Sequence, residues 1–164
     1  MILDKVISNV FACGIEVAFT GDASPSDITG WQPFYNSIFL NATFNKAYAS
    51  ISSLEFGEES ETSVSGVSYN QKVTWRFPEN DPQRSERIAL LHTIKYLKFK
   101  FTNHSDYVLG RNDANQNTKP VVKVSSNGRL CQVEVSSKSI YPSGVTPNLN
   151  WFGLPTFIPL TLNP

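Results

Sequence analysis

The sequence predicts a mainly β protein, an antiparallel β-sandwich or barrel with one flanking α-helix at about residues 82–95 and extended N- and C-terminal arms. Three observations predict this class. Residues 67–77 alternate apolar and polar side chains with a period of two, which is typical of a half-buried strand. The dipeptide Asn127-Gly128 separates two further strand-like runs and indicates a hairpin. Asp81-Pro82 opens a stretch with helical spacing of its apolar residues.

The composition favours a protein that covers part of its surface with a neighbour. The chain has 164 residues, with 14 Lys plus Arg and 14 Asp plus Glu, so its formal net charge is zero. This balance disfavours a simple basic nucleic-acid binder or a protein drawn to an acidic membrane. Charged residues make up 17% and aromatic residues 12% of the chain, a combination that is typical of surfaces buried against a partner. The length fits a single sandwich domain, which we place at residues 1–142.

The N-terminal region predicts a strand over residues 15–19 and a protein made in the cytoplasm. Cys13 and Cys131 are too few for a disulfide framework and lack metal-ligand spacing, so we expect both to be reduced and buried. The first residues do not match a signal peptide, because Asp4 precedes Lys5 and the apolar run is interrupted. No run approaches the roughly 20 apolar residues of a membrane span, so no membrane association is expected.

The next segments predict an arm followed by two strands. Residues 21–34 contain Gly and Pro without periodicity, which indicates a loop or arm, and Trp31 and Phe34 are its candidate inter-subunit contacts. Residues 37–44 and 49–56 have strand-like composition. The apolar residues of the second segment fall on two faces, and a bulge at its centre would reconcile them.

Residues 57–66 are polar and acidic, and we expect them to form a solvated hairpin loop. Glu58, Glu59 and Glu61 lie close together in this segment. Paired carboxylates can serve acid-base chemistry or hold Ca²⁺, but the segment lacks the Asp-rich ligand pattern of an EF-hand. A solvated loop therefore remains the expectation from the residues alone.

An amphipathic helix is predicted at residues 82–95. Asp81 as N-cap, followed by Pro82 at the first helical position, provides the start signal. A helix of this length depends on packing its apolar stripe against a sheet. The residues expected to pack there are Ile88, Leu91 and Ile94.

Two hairpins are predicted after the helix. Residues 96–102 alternate apolar side chains with lysines, as in a half-exposed strand, and residues 107–110 form its partner. Residues 110–120 are polar and predict an exposed loop. Asn127-Gly128 then joins two more strands, and both turn positions are expected to have positive φ.

The tail, residues 143–164, is rich in Pro and in large apolar residues. Pro supplies no donor to a sheet, and the segment is too apolar to remain in water, so we expect an extended arm on its own domain or on a neighbouring subunit. The candidate contacts of this arm are Trp151, Phe152, Leu154, Phe157 and Ile158.

The sequence contains no motif for catalysis, and we expect no catalytic residue, no metal site and no cofactor. It has no Gly-rich phosphate loop, no paired-His metal motif and no nucleophile elbow. His92 and His104 have no neighbours in sequence that would make either a base. Asp106, Asp113 and the Asn-rich loop beside them leave open a sugar or cation site, although loops are where Asn and Asp accumulate.

The order of elements over residues 55–142 carries further information. An acidic loop is followed by a strand with Gly66, Tyr69 and Gln71, a Pro-containing turn, and a helix with Arg and paired leucines. A strand leading into Tyr107-Val-Leu-Gly, a polar loop, a hairpin and a Ser-x-x-Tyr-Pro ending complete the succession. This order resembles bacteriophage structural proteins of the tail-tube type, particularly forms from phages of Bacteroidetes.

The resemblance implies a virion (tail) subunit that assembles into stacked hexameric rings and forms a conduit for DNA ejection. Its implied partners are other copies of itself, further tail, neck or baseplate proteins, and DNA in transient, non-specific passage. Glu58, Glu59 and Glu61 would then contact the next ring or make an acidic lumen. The alternative is a monomeric β-sandwich module of a virion or cell surface that binds a glycan or a receptor.

Overall fold

The structure is a computed structural model, and it describes residues 11–19, 42–103 and 105–145. Within these ranges, nine strands and one α-helix confirm the predicted mainly β class with a flanking helix. The strands are β1 Ala12–Ala18, β2 Asn45–Lys46, β3 Glu55–Ser63, β4 Gly66–Pro78, β5 Tyr96–Phe101, β6 Tyr107–Leu109, β7 Val121–Ser126, β8 Leu130–Ser139 and β9 Gly144–Val145, and the helix is α1 Arg84–Leu91.

The strands form two antiparallel sheets that pack face to face as a sandwich. The first sheet has the order β2-β1-β5-β6-β9 and the second has the order β3-β4-β8-β7. One apolar core lies between them, with Leu97 and Phe99 from the first sheet and Trp75 and Val133 from the second, all at most 2% exposed. A buried ring such as that of Trp75 contributes a large share of the stabilising apolar area.

The two central strands of the second sheet form as predicted. β4 and β8 pair without interruption from Tyr69 opposite Ser139 to Pro78 opposite Leu130. Along β4 the side chains at 73, 75 and 77 are buried, and along β8 those at 131, 133 and 135 are buried. The period-two pattern in both segments therefore faces the core.

The prediction of an acidic loop at residues 57–66 is wrong, because residues 57–63 belong to strand β3. β3 pairs with β4 in an unbroken register from Glu55 opposite Thr74 to Ser63 opposite Gly66, and only Val64 and Ser65 form the turn. Strand pairing needs backbone groups and not an apolar face, so a ribbon exposed on both sides has no apolar alternation to detect.

The strand predicted at residues 49–56 is replaced at its centre by a 3-10 turn, Ile51–Ser53. The turn forms because serine side chains bond to nearby backbone groups. Ser53 Oγ donates to the Ser50 carbonyl at 2.7 Å and accepts from the Arg76 backbone N–H at 2.8 Å. Of the strand predicted at residues 37–44, the described residues 42–44 are not in a strand.

The helix is shorter than predicted, and it begins at Arg84 instead of residue 82. Asp81 Oδ1 accepts the Gln83 N–H at 3.1 Å and therefore closes the turn before the helix without acting as its N-cap. Leu91 and Ile94 are buried and Ile88 packs against the same core, as predicted. Ile94, however, lies beyond the last helical residue.

Two segments predicted to be exposed are covered. β5 is buried on both faces up to Lys98, which is only 9% exposed. The prediction of a half-exposed strand is therefore wrong for this part of β5. The loop after β6 is not fully exposed either, since Arg111 and Asn112 are 5% and 1% exposed. In both cases the covering residues are distant in sequence. The local pattern of apolar and polar residues therefore does not predict this burial.

The Asn127-Gly128 hairpin forms, but with a different turn from the one predicted. Gly128 has φ +83°, whereas Asn127 is not among the residues with positive φ. Asn127 Oδ1 instead accepts the N–H groups of Arg129 and Leu130 at 3.1 and 3.0 Å. This side-chain cap replaces the second positive φ.

The cysteines differ from each other, because Cys131 is buried as predicted and Cys13 is exposed. The arm contacts predicted from the sequence lie outside the described residues. They are Trp31, Phe34, Trp151, Phe152, Leu154, Phe157 and Ile158. His104 is also outside the described residues, and His92 is exposed. None of the helices in the described ranges has the length and apolar content needed to cross a membrane.

Candidate functional site

The β3–β4 hairpin projects beyond the rest of the second sheet. β8 pairs with β4 only as far as Tyr69, so the end of the hairpin is a two-stranded ribbon. We call residues 59–68 the distal hairpin. All of its side chains except Ser68 are exposed, and Val64 at the turn is fully exposed. A two-stranded ribbon is marginally stable by itself, so this part of the described chain gains most from a partner.

The three glutamates predicted as one cluster lie on different faces of β3. Glu58 shares the inward parity of Phe56, whereas Glu59 and Glu61 share the opposite parity and face outward. Glu61 forms an ion pair with Lys138 at 2.9 Å, and the hydrogen bond from this lysine lowers the pKa of the Glu61 carboxyl. Glu59 is exposed and makes no ion pair with a described residue.

Glu58 holds the start of the tail. Its Oε2 accepts the Ser143 N–H at 2.7 Å and the Gln71 Nε2–H at 3.1 Å. Gln71 is 1% exposed and also receives the Ser137 hydroxyl at 3.3 Å. Glu58 is thus part of a partly buried polar network that positions the chain just before β9.

We expect Glu58→Ala to lower the free energy of unfolding by about 1–3 kcal/mol, because two buried or partly buried donors lose their acceptor. Glu59→Ala, on the adjacent exposed position of the same strand, is the matched control and should stay within about 0.5 kcal/mol of the native chain. Urea unfolding followed by tryptophan fluorescence measures both. Equal stabilities for the two variants would contradict the role given to Glu58.

The two edges of the second sheet carry opposite charges. β3 is one edge and has Glu55 and Glu59 on its outer side, neither in an ion pair with a described residue. β7 is the other edge and has Lys123, also exposed and without an ion pair in the described ranges, with Lys119 just before the strand. Glu55, Thr74, Glu134 and Lys123 lie in one row across the four strands.

A groove of about 190 Å³ lies at the far end of the molecule from the distal hairpin. It is formed between α1, the end of β1 and the segment after β2. Its lining includes Phe19, Lys46, Tyr48, Trp75, Arg87 and Leu90. Leu90 is 55% and Tyr48 is 47% exposed, and the Arg87 guanidinium lies 4.6 Å from the centre of the Tyr48 ring. The groove is therefore largely apolar with a cationic rim.

The Asn-rich loop and the turn before β6 use their aspartates within the domain. Asp113 accepts Arg111 Nε–H at 2.7 Å and the Ile140 N–H at 3.0 Å, and Asp106 accepts the Phe101 N–H at 3.2 Å. Among the residues that the structure describes, no group of three or more His, Cys, Asp or Glu side chains is arranged to hold a metal ion. The carboxylates that left open a sugar or cation site are thus engaged in hydrogen bonds within the domain, Asp106 in the turn before β6 and Asp113 in the Asn-rich loop.

Sequence reasoning missed the groove and the basic edge, and it grouped the glutamates wrongly. The inward direction of Glu58 follows from its two-residue spacing from Phe56, once residues 57–63 are known to be a strand. The groove joins three distant segments and has no local signal.

Comparison with protein-family models, with curated proteins and with solved structures finds no match.

Proposed function

We propose that the chain is a virion structural subunit of the tail-tube type, which joins copies of itself edge to edge into rings. These rings, hexameric in the family that the sequence resembles, would stack into a conduit for DNA ejection in the virion tail. The observation that carries the proposal is β3, a long and regular edge strand whose outer side pairs with no other described strand. Other tail, neck or baseplate proteins would meet the ends of the stack.

Soluble monomers normally protect such an edge with Pro, Lys, a bulge or a short strand. β3 has nine residues, no Pro, no Lys and no break in its register with β4. Its charged residues are all acidic, which opposes pairing of one β3 with another β3. Glu58, an inward-pointing charge that could also protect an edge, is engaged by Ser143 and Gln71 within the chain. The outward glutamates therefore favour a basic edge strand as the partner.

β7 supplies such a partner on a second copy. It presents Lys123 in the same row as Glu55, so pairing of β7 with the neighbour's β3 would place the two side chains close together. Because the two edges are different surfaces, the contact is heterologous, and repeated heterologous contacts close into a ring when the rotation fits. A zero net charge imposes no overall repulsion between the copies.

The acidic lumen stays a prediction and now concerns Glu59 and Glu61 alone, since Glu58 faces inward. Across the outer face of the second sheet, four acidic residues are balanced by four basic residues. They are Glu55, Glu59, Glu61, Glu134, Lys72, Arg76, Lys123 and Lys138. Any net repulsion of DNA phosphates would therefore come from the distal hairpin, which has no basic residue.

Light scattering and negative-stain electron microscopy of the purified 18.3 kDa chain test the proposal. We expect rings or stacked rings from the native chain. Glu55→Lys should reduce ring formation, because it places a positive charge opposite Lys123 of the neighbour. Glu86→Lys makes the same change of charge at an exposed helix position and serves as the control.

The double variant Glu55→Lys/Lys123→Glu exchanges the two charges and should recover rings that Glu55→Lys loses. Recovery of rings by the double variant would show that the two edges pair with each other, because neither single charge change alone is expected to form rings. A native chain that remains a monomer at all concentrations would contradict the proposal. Binding of that monomer to a glycan array would support the alternative, a ligand-binding module.

A further inference from the structure

The distal hairpin and the apolar groove lie at opposite ends of β4. The exposed turn precedes Gly66, while Trp75 lines the groove near the other end of the strand. Eight residues separate Val67 from Trp75, which corresponds to roughly 26 Å along a strand. A hairpin and a groove on the same chain are therefore too far apart to meet within one molecule.

We propose that the distal hairpin of one copy docks into the groove of a second copy, head to tail along the strand direction. This contact would be the one that stacks rings, and in that setting it rests on the proposed function. The docking itself depends on three observations, namely exposed apolar side chains, complementary charge and the opposite placement of the two surfaces.

The apolar observation concerns Val64, which is fully exposed at the turn, and Val67, which is 44% exposed beside it. Turns favour Gly, Asn, Asp, Ser and Pro, and a β-branched residue gains nothing from that position. The groove offers Leu90 and Tyr48, both about half exposed, and its volume of about 190 Å³ accepts a branched aliphatic side chain. Burial of these four side chains would remove exposed apolar surface from both copies.

The charges of the two surfaces are complementary. Residues 59–68 contain Glu59 and Glu61 and no basic residue. Among the described residues, the groove is lined by Lys46 and Arg87 and by no acidic side chain. Arg87 is already paired with Asp81 at 2.7 Å, whereas Lys46 is exposed and makes no ion pair with a described residue. Glu59 and Lys46 are thus the unpaired charges that this docking would bring together.

The geometry fixes the kind of assembly. In this head-to-tail contact the hairpin of one copy meets the groove of the next, so the interface is heterologous, and a docked pair keeps one free hairpin and one free groove in total. Further copies add at these two free surfaces, so the contact extends along one direction when the rotation between copies does not close a ring. One hairpin alone gives a small and weak interface, but a ring presents several hairpins at once and multiplies the affinity.

Disulfide trapping tests the docking. The experiment uses the full chain with Cys13→Ser, which removes the exposed native thiol, while Cys131 is buried. Val64→Cys and Leu90→Cys are added together, and mild oxidation is followed by a non-reducing gel. An intramolecular bond is ruled out, because disulfide Cα atoms lie within about 7 Å of each other. We expect a ladder of dimers, trimers and longer species, whereas either single cysteine gives dimers at most.

Val64→Cys/Ile140→Cys is the matched control. Ile140 is 50% exposed and follows Ser139, which pairs with Tyr69 at the hairpin end of the sheet. This pair should give no ladder, because both cysteines lie at the same end of the molecule. A ladder of equal length in this control would mean random collision and would overturn the docking.

Electron microscopy of the same samples separates this inference from the proposed function. Rings or tubes without a Val64–Leu90 ladder overturn the docking and leave the edge-to-edge ring intact. A ladder without rings supports the docking and contradicts the ring. As a second variant, Val64→Lys places a positive charge against the basic groove and should leave single rings and lose their stacks. Persistent stacks would overturn the docking. Val64 and Leu90 are both exposed, so their substitution should not disturb the core. Circular dichroism checks that the variants stay folded.

Discussion

Replacement of Gly110 by Ala should lower the free energy of unfolding by more than about 3 kcal/mol or prevent folding. Gly110 follows β6 and has φ +116°, a conformation that residues with a Cβ rarely adopt. An added Cβ would lie 2.4 Å from the Lys95 carbonyl oxygen and 3.0 Å from Tyr96 Cα. These neighbours are backbone atoms next to a buried strand, so they have no room to move.

Gly66→Ala is the control that separates the two causes. Gly66 has φ +118°, almost the same as Gly110, but an added Cβ would meet no atom within 4 Å. This variant should lose only the backbone contribution, about 1–3 kcal/mol. Urea unfolding of both variants measures the difference. Equal losses would show that the close approach of Gly110 to β5 is unimportant.

The second large effect is expected at Glu16, whose removal should cost about 3 kcal/mol. Glu16 lies on the outer side of the first sheet, with Oε1 at 2.9 Å from Lys100 Nζ and Oε2 at 3.2 Å from Lys98 Nζ. Lys98 is 9% exposed, and its ammonium group lies 4.3 Å from the centre of the Phe44 ring. In Glu16→Ala two positive charges face each other, and one of them is poorly hydrated.

The comparison for Glu16→Ala is Glu134→Ala. Glu134 also pairs with a lysine, Lys72, but this lysine is 54% exposed in its side chain. An exposed pair contributes at most about 1 kcal/mol, so this variant should be nearly as stable as the native chain. A similar loss in both variants would contradict the special cost of removing the carboxylate beside the buried Lys98.

The same carboxylate predicts how stability depends on pH. Burial of Glu16 raises its pKa, but the hydrogen bonds and charges of Lys100 and Lys98 outweigh burial and hold the pKa below its ordinary value. A lowered folded pKa means that the stabilisation is complete above the pKa of the unfolded chain, near 4.5, and is lost as the pH falls through the folded value.

Glu16→Gln removes this titration while keeping the size of the side chain. The native chain should therefore lose its advantage over the variant as the pH is lowered from about 5, and the two stability curves should converge in acid. Unfolding in urea at several pH values measures this. Parallel curves across the acidic range would contradict the assignment of this pH dependence to Glu16.

The parts of the fold that alternate apolar and polar residues are predictable from the sequence. β4 and β8 follow from side-chain parity alone, and the packing of Leu91 follows from the helical spacing of the apolar residues. β3 could not be found in this way, because most of it is exposed on both sides. The cover over Lys98 comes from Glu16 and Phe44, which are distant in sequence, so the alternation of β5 predicted solvent instead.

The candidate site was only partly predictable for the same reason. Glu59 and Glu61 are exposed as expected, whereas the inward direction of Glu58 depends on the strand register. The groove depends on how α1 sits against β1 and Tyr48, and such a contact has no signature in any one segment. The opposite charges of the two sheet edges become visible only when the strand order is known.

β4 also determines how the molecule resists a pulling force. Ten consecutive residues of β4 are paired with β8 on one side, and nine are paired with β3 on the other. The ladder hydrogen bonds lie perpendicular to the strands, so tension along β4 loads many of them at the same time instead of opening them one by one. If subunits stack as proposed, tension along this direction should separate the subunits before a sheet comes apart.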